Sequence, residues 1–263
     1  MSADIRIIYE DDDLMVCHKR AGMATEGAAA GRMDLISAAR NYLARRNRTN
    51  TTGRQRNLPP YVATVNRLDQ PVEGVVVLAK TKKAASDLAR QIKDKKADKY
   101  YYALCYGAVP ERKGPLSDFI MRREDNRLAQ ILTADEKGSL RDGQVTLRSG
   151  ERVRLTGGDI KSARLEYEVI ARTENATLLR VHLLTGRFHQ IRAQLSNLGH
   201  PILGDDRYST QESRLCSEEQ GIREVCLAAY SYSFDHPATG RRVTFEVSPD
   251  NSAIRSLIEA NGR

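Results

Sequence analysis

The stretch "TVNRLDQPVEGVVVLAK", Thr64 to Lys80, sets one carboxylate, Asp69, directly after an Arg-Leu pair, then turns through Pro71 and Gly74 into an apolar run. An ionised carboxylate can attack carbon, stabilise developing positive charge or remove a proton. Asp, Pro and Gly are also what an ordinary turn between two strands contains. A second dense group lies in "LLTGRFHQIRAQLSNLGHPILGDDRY", Leu183 to Tyr208, with Arg187, His189 and Arg192 after a Thr-Gly turn. The pattern predicts a helix carrying these three residues in its first turns, where free backbone N–H groups and Arg side chains make an anion site. His189 fits a core or capping role as well as a chemical one. Arg192 lies among Ile191 and Leu195, so its guanidinium is expected to be partly buried and to need a carboxylate. Asp69 is the acid best placed to supply it.

The elements that must hold these residues follow from periodicity. Two short strands are predicted at Ile5 to Tyr9 and Leu14 to His18, closed by Gly22, and a helix at Met33 to Arg46 from its i, i+3, i+4 apolar spacing. A polar, basic connection ending at Pro59-Pro60 reads as a mobile loop suited to backbone phosphate. Val75 to Ala79 reads as a buried strand, Thr81 to Lys96 as an amphipathic helix, and "KYYYALCYGAV" as an aromatic strand. The middle, Arg122 to Lys161, is charged, Gly-rich and irregular, and is left as short hairpins or a disordered insertion. "ARLEYEVIAR" and "TLLRVHLL" then pair across "TENA" as an antiparallel hairpin, and a helix follows, stopped by Gly199 and Pro201. A final strand pair turns at Pro237 to Gly240. This mixture lacks regular βαβ alternation, so an α+β fold with a mainly antiparallel sheet is expected.

With 263 residues, 40% hydrophobic and 29% charged, the chain can bury a sizeable core as one large domain or two smaller ones. No apolar run approaches a membrane span, and the acidic N-terminus does not resemble a secretory signal, so a cytoplasmic protein is expected. Cys17, Cys105, Cys216 and Cys226 are scattered without a C-x-x-C pair, which predicts reduced thiols. No phosphate-binding glycine loop is present. The formal charge of +8 is uneven, with basic clusters at Arg45 to Asn57, Lys93 to Lys99 and Met121 to Asp125. Such clusters attract polyanions, and nucleic acid is the leading partner.

Taken together, these segments resemble the RluA family of RNA pseudouridine synthases over almost the entire chain. "IIYEDDDLMVCHKRAGMAT" is similar to that family's opening, "NRLDQPVEGVVVLAK" to its H-R-L-D-x-x-T-S-G-x-x-x-x-A-K motif, and "KYYYALCYG" to its K-x-Y-x-A-L strand. "LLTGRFHQIRAQLSNLGHPILGDDRY" is similar to its L-x-T-G-R-x-H-Q-I-R signature and the G-x-P-I-x-G-D-x-x-Y that follows, and "FDHPATG" matches near the C-terminus. The resemblance implies an α+β catalytic domain with a mainly antiparallel sheet split by an active-site cleft. It implies isomerisation of uridine in ribosomal or transfer RNA to pseudouridine, with neither metal nor organic cofactor; nothing in the sequence demands more than a monomer. Asp69 matches the catalytic aspartate, Arg192 the arginine that pairs with it, and Tyr101 the tyrosine that packs against the target base. Arg67 matches the arginine that enters the space left by the flipped nucleotide, and Arg187 and His189 fall in the RNA-binding part of the signature. The whole of 1–263 reads as one catalytic domain without a separate S4-like RNA-binding domain.

The chain departs from the pattern at Asn66 for His, Val72-Glu73 for Thr-Ser, Arg20-Ala21 within K-P-x-G, and Phe188 for Thr. Glu73 is expected either to repel phosphate or to pair with a neighbouring Arg. This motivates an alternative in which the domain holds RNA without modifying it. A nucleoside hydrolase would fit the carboxylate but not the basic clusters.

Overall fold

A computed structural model describes residues 5–50 and 59–261; for 48–50 and 157–159 only the backbone is described. In chain order the first elements are β1 Arg6–Glu10, β2 Leu14–Lys19, α1 Leu35–Asn50, β3 Ala63–Thr64, β4 Glu73–Ala79, α2 Lys82–Lys93 and β5 Asp98–Tyr106. They continue with β6 Lys113–Arg123, β7 Ala129–Leu132, α3 Ala134–Ser139, β8 Gln144–Thr146, β9 Arg152–Arg172 and β10 Ala176–Leu183. The last are α4 Gln190–Asn197, α5 Gln211–Glu219, β11 Leu227–Asp235, β12 Arg242–Glu246 and α6 Ser252–Asn261. Two compact units emerge, one from the residues up to Lys99 with Ala228–Asp250, the other from Tyr100–Leu227 with the residues from Asn251 onward. No helix among the described residues is long and apolar enough to cross a membrane.

In the first unit the strand order is β1-β2-β4-β11, with β12 beside β11 and β3 beside β4. β2 and β4 are buried along their whole length, which is why they read as unbroken apolar runs rather than alternating ones. Val16, Val75 and Val77 pack with Ala84 and Leu88 of α2 and with Tyr232 and Phe234 of β11. Thr81 starts α2 by accepting the Ala84 N–H at 3.1 Å. β4 runs antiparallel to β2 and parallel to β11, where Gly74 faces Ala229. At that crossing a Cβ on Gly74 would lie 2.1 Å from the Ala229 carbonyl oxygen, and Gly74 has φ 126°. Only glycine fits there.

In the second unit the order is β5-β10-β9-β6-β7, antiparallel where registers are defined, with β8 on β9. The predicted β9/β10 hairpin is present, with Leu165 opposite Leu183. Of the two readings of the middle, short hairpins hold: β6 turns into β7 and β8 into β9, which reaches back to Arg152 and spans 21 residues. Before it, α3 is started by a capping box, Thr133 accepting the Glu136 N–H at 3.2 Å and Glu136 accepting the Thr133 N–H at 2.8 Å. Leu132, Val145, Val153 and Leu155 form a small core of their own. Ala193 of α4 packs on Ile120, Ile131 and Ala163. Both units are mixed α and β with predominantly antiparallel pairing, as the sequence predicts. The four cysteines are free thiols, all buried. Of the basic connection expected between Arg45 and Asn57, residues 51–58 lie outside the described set.

Candidate active site

Asp69 sits half-buried in the loop between β3 and β4, and the groups around it explain why that loop has one shape. Asn66 donates to the Val75 carbonyl at 3.1 Å and accepts the Val77 N–H at 2.8 Å, tying the loop to β4. Buried Thr25 accepts the Leu68 N–H at 3.1 Å and donates its hydroxyl to the Leu68 carbonyl at 2.8 Å. The Val72 N–H closes a reverse turn onto the Asp69 carbonyl at 3.0 Å, and the Gly22 N–H holds the Gln70 carbonyl at 2.8 Å. Backbone bonds therefore fix the turn on both sides of Asp69. Arg67, two residues earlier, is exposed and meets Glu26 at 2.9 Å.

Under this turn lies a cation that the sequence reading did not single out. Lys19 ends β2 with no exposed surface, and its ammonium donates to the carbonyls of Met23 at 2.6 Å, Arg20 at 3.2 Å and Gln70 at 3.2 Å. Burial brings its pKa down to about 8, opposed by the negative charges of Asp69 and Glu73. A lysine closing an apolar strand just ahead of a glycine turn was the available signal.

Of the two expectations for Glu73, repulsion of phosphate does not fit its place in the structure. Its side chain is buried, accepts the Asp250 N–H at 2.8 Å and lies 3.5 Å from His18 Nε2. It is directed into the protein rather than toward phosphate. His18, Glu73 and Asp250 bring potential ligand atoms within 4.8 Å of one another, but the Asp250 carboxylate takes two bonds from Arg6, at 2.8 and 2.6 Å. The three side chains gather where β2 ends and β4 begins.

In the second unit Arg192 is buried on α4, as predicted, yet the carboxylate that grips it is Asp205. Arg192 Nε and Nη2 donate to Asp205 at 2.6 and 2.7 Å, and the two side chains are 3% and 0% exposed. Asp205 follows Ile202-Leu203-Gly204, an apolar lead-in that could have marked it as a buried acid. Tyr208 lies under the guanidinium, its ring centroid 5.2 Å from Arg192 Cζ.

The start of α4 also differs from expectation. The helix begins at Gln190, so Arg187 and His189 precede it, and Gln190 Oε1 takes the Arg187 N–H at 3.0 Å and the Thr185 hydroxyl at 2.8 Å. The Gln190 carboxamide thus ties down the turn that leads into the helix. Arg187 Nε donates to the Ser162 carbonyl at 3.0 Å. His189 stands at the N-cap with φ 52°, buried, its Nδ1 2.9 Å from the Tyr208 hydroxyl. That hydroxyl accepts the Ala129 N–H at 2.8 Å, so its proton is assigned to Nδ1, leaving the ring proton on Nε2. Burial, then the charges of Arg192 and Arg207, push the His189 pKa down to about 3. Tyr101 is buried on β5 opposite Val181.

Residues 13–197 match the family model described as RNA pseudouridylate synthase. The chain is 30% identical over 257 residues to ribosomal large subunit pseudouridine synthase C of Salmonella typhimurium, covering 97% of this chain and 69% of that protein. It is 32% identical over 250 residues to an uncharacterized RNA pseudouridine synthase of Aquifex aeolicus, covering 92% of this chain and 69% of the relative. The Haemophilus influenzae synthase C is 28% identical, with 94% of this chain and 66% of that protein aligned. The chain therefore spans about two thirds of the length of these curated relatives. Human RNA Pseudouridylate Synthase Domain Containing 4 shares the fold, with a TM-score of 0.70 at 20% identity over 96% of this chain and 92% of that one. The chain belongs to the RNA pseudouridylate synthase family, isomerases that act on uridine in RNA.

Proposed function

We propose that this protein converts uridine to pseudouridine in large-subunit ribosomal RNA, with Asp69 as the carboxylate that acts on the target nucleotide. The observation that carries this reading is the turn around Asp69, which three sets of backbone bonds hold rigid above a buried ammonium. A preorganised carboxylate costs little reorganisation when charge develops on the sugar. In the reaction the bond from ribose C1′ to base N1 breaks, the base rotates, and C1′ bonds to C5. C5 loses its proton and N1 gains one, so atoms and charge balance without an added reactant.

The remaining roles belong to the same proposal. Tyr101 packs against the base and Arg67 fills the space of the flipped nucleotide, while Arg192, gripped by Asp205, supplies positive charge to the reaction. Arg187 contacts RNA, while His189, held neutral, acts by position. The chain acts as one catalytic domain, a monomer in the cytoplasm, with side chains alone. Ribosomal RNA is preferred over transfer RNA because the named bacterial relatives are large-subunit synthases. The alternative of an RNA holder without activity rested on Glu73 and the two lost hydroxyls; the burial of Glu73 and the kinship with named synthases favour the enzyme.

The test uses the purified protein and unmodified large-subunit ribosomal RNA transcribed in vitro. Pseudouridine at discrete positions is expected, read by mass spectrometry. No pseudouridine in that RNA, with product in a transfer RNA pool instead, would move the substrate; no product in either would overturn the reading.

A further inference from the structure

One of the basic clusters, Met121 to Asp125, has no place in the chemistry above, and the residue that departs from the family signature beside it, Phe188, is among the few large apolar side chains left exposed, at 43%. The two meet. The Phe188 ring stacks on His189 with centroids 3.7 Å apart and planes 19° apart, and Arg122 Cζ lies 4.4 Å from the Phe188 centroid. A parallel ring at 3.7 Å covers one face, so the guanidinium lies on the other. His189 in turn meets Tyr208 edge-on at 5.6 Å, and Tyr208 underlies Arg192. The result is a continuous stack from exposed Arg122, through Phe188, His189 and Tyr208, to buried Arg192.

The charges separate Arg122 from its neighbours. Arg123 is held by Asp125 and Glu151, and Arg154 by Glu124. Arg122 makes no ion pair among the described residues; its Nε donates to the Arg127 carbonyl at 3.4 Å. Next to the stack, a polar cavity of about 270 Å³ is lined by Arg123, Gln130, Asn197, Arg207 and Tyr208 among others. A flat cation, exposed and backed by an aromatic ring, offers one plane for stacking and its N–H groups for phosphate.

We propose that Arg122 and Phe188 form a binding subsite for an unpaired nucleotide of the RNA substrate, its base stacking on the Arg122 guanidinium and its phosphate held by the same side chain. The subsite rests on the reading of the protein as an RNA-modifying enzyme, and it makes Phe188 a determinant of which RNA is bound rather than of the bond-breaking step. His189 serves as its floor. Burial and the surrounding cations keep that ring uncharged, which lets it stack under Phe188 without repelling Arg122.

The test measures two things on Phe188→Ala, Phe188→Tyr, Arg122→Ala and Arg122→Lys. One is affinity for a short fluorescent oligouridylate at several salt concentrations; the other is KM and kcat on transcribed large-subunit ribosomal RNA. Phe188→Ala is expected to weaken both affinity and KM about tenfold with kcat within about twofold, since one stacked base contributes on that scale. Phe188→Tyr retains binding. Arg122→Lys keeps the salt dependence but loses affinity, whereas Arg122→Ala also lowers the salt slope by about one phosphate contact. Unchanged affinity in Phe188→Ala, or a fall in kcat with KM unchanged, would overturn the subsite. The oligouridylate measurement reads the subsite even if ribosomal RNA proves not to be the substrate, so the two failures are distinguishable.

Discussion

Asp205 and Asp69 are both carboxylates beside a buried cation, and the protein treats them in opposite ways. Asp205 is 1% exposed, receives two bonds from Arg192, and also accepts the Arg207 N–H at 3.1 Å. Asp69 is half-buried, and the surrounding structure grips its turn through the backbone of Leu68, Gln70 and Val72. The cation beneath it, Lys19, spends its three donors on carbonyls. The Arg192–Asp205 pair, buried and bonded at short distance, is costly to break from one side. At Asp69 the bonds given to the fold come from the backbone of its turn, which fixes where the carboxylate stands.

Changing the Arg192–Asp205 pair should have the larger effect on stability. Asp205→Ala strands the Arg192 guanidinium in the interior and is expected to cost about 3 to 5 kcal/mol, seen as a fall in melting temperature of roughly 10 °C. A variant that melts with the wild type would mean that Arg192 finds another partner. Gly74→Ala comes next: the added Cβ meets the Ala229 backbone, where neither side can yield, so about 3 kcal/mol should be lost in urea denaturation.

The same contrast shows what the sequence could and could not reveal. β2, β4 and α2 were legible because unbroken apolar runs and a 3.6-residue stripe are strong signals, and Asp69 stood out because it lies in a turn with Arg67. Asp205 did not. Its burial depends on α4 folding over the 202–205 loop, a tertiary event that leaves only a short apolar lead-in. Lys19 was hidden for a related reason: a lysine at a strand end usually reaches solvent, and only the convergence of three carbonyls from two loops keeps it inside. The span Arg122 to Lys161 stayed open between short hairpins and a disordered insertion because β7, α3 and β8 are each too short to show a period; the hairpins are what it holds, and the Thr133-x-x-Glu136 capping box was there to be read. The start of α4 was placed early because nothing in the residue types announces that His189 takes a left-handed conformation.

Smaller changes sharpen the comparison. Lys19→Met removes the donor from three carbonyls while relieving the cost of a buried charge, and about 2 kcal/mol is the expected net loss; guanidinium melts of the variant measure it. An increase in stability would mean that the ammonium is not needed to hold the turn. For His189, the folded pKa of about 3 lies below the value of about 6.5 expected in the unfolded chain. Between those two values the unfolded state binds the extra proton, so stability falls as pH drops from about 6.5 toward 3, by up to about 1.4 kcal/mol per pH unit from this group. His189→Gln should flatten that acid limb relative to wild type in a series of melts. An unchanged slope would show that His189 does not sit neutral in the fold.

The central claim is that Asp69 performs the reaction while contributing little to the fold. Single-turnover formation of pseudouridine by Asp69→Asn on transcribed large-subunit ribosomal RNA tests it most directly, with melting temperature and oligouridylate affinity measured on the same preparation. The account predicts a rate at least about a thousandfold below wild type, roughly 4 kcal/mol of lost transition-state stabilisation, with melting and affinity unchanged. A variant that folds, binds and still makes pseudouridine within about tenfold of the wild-type rate would contradict it.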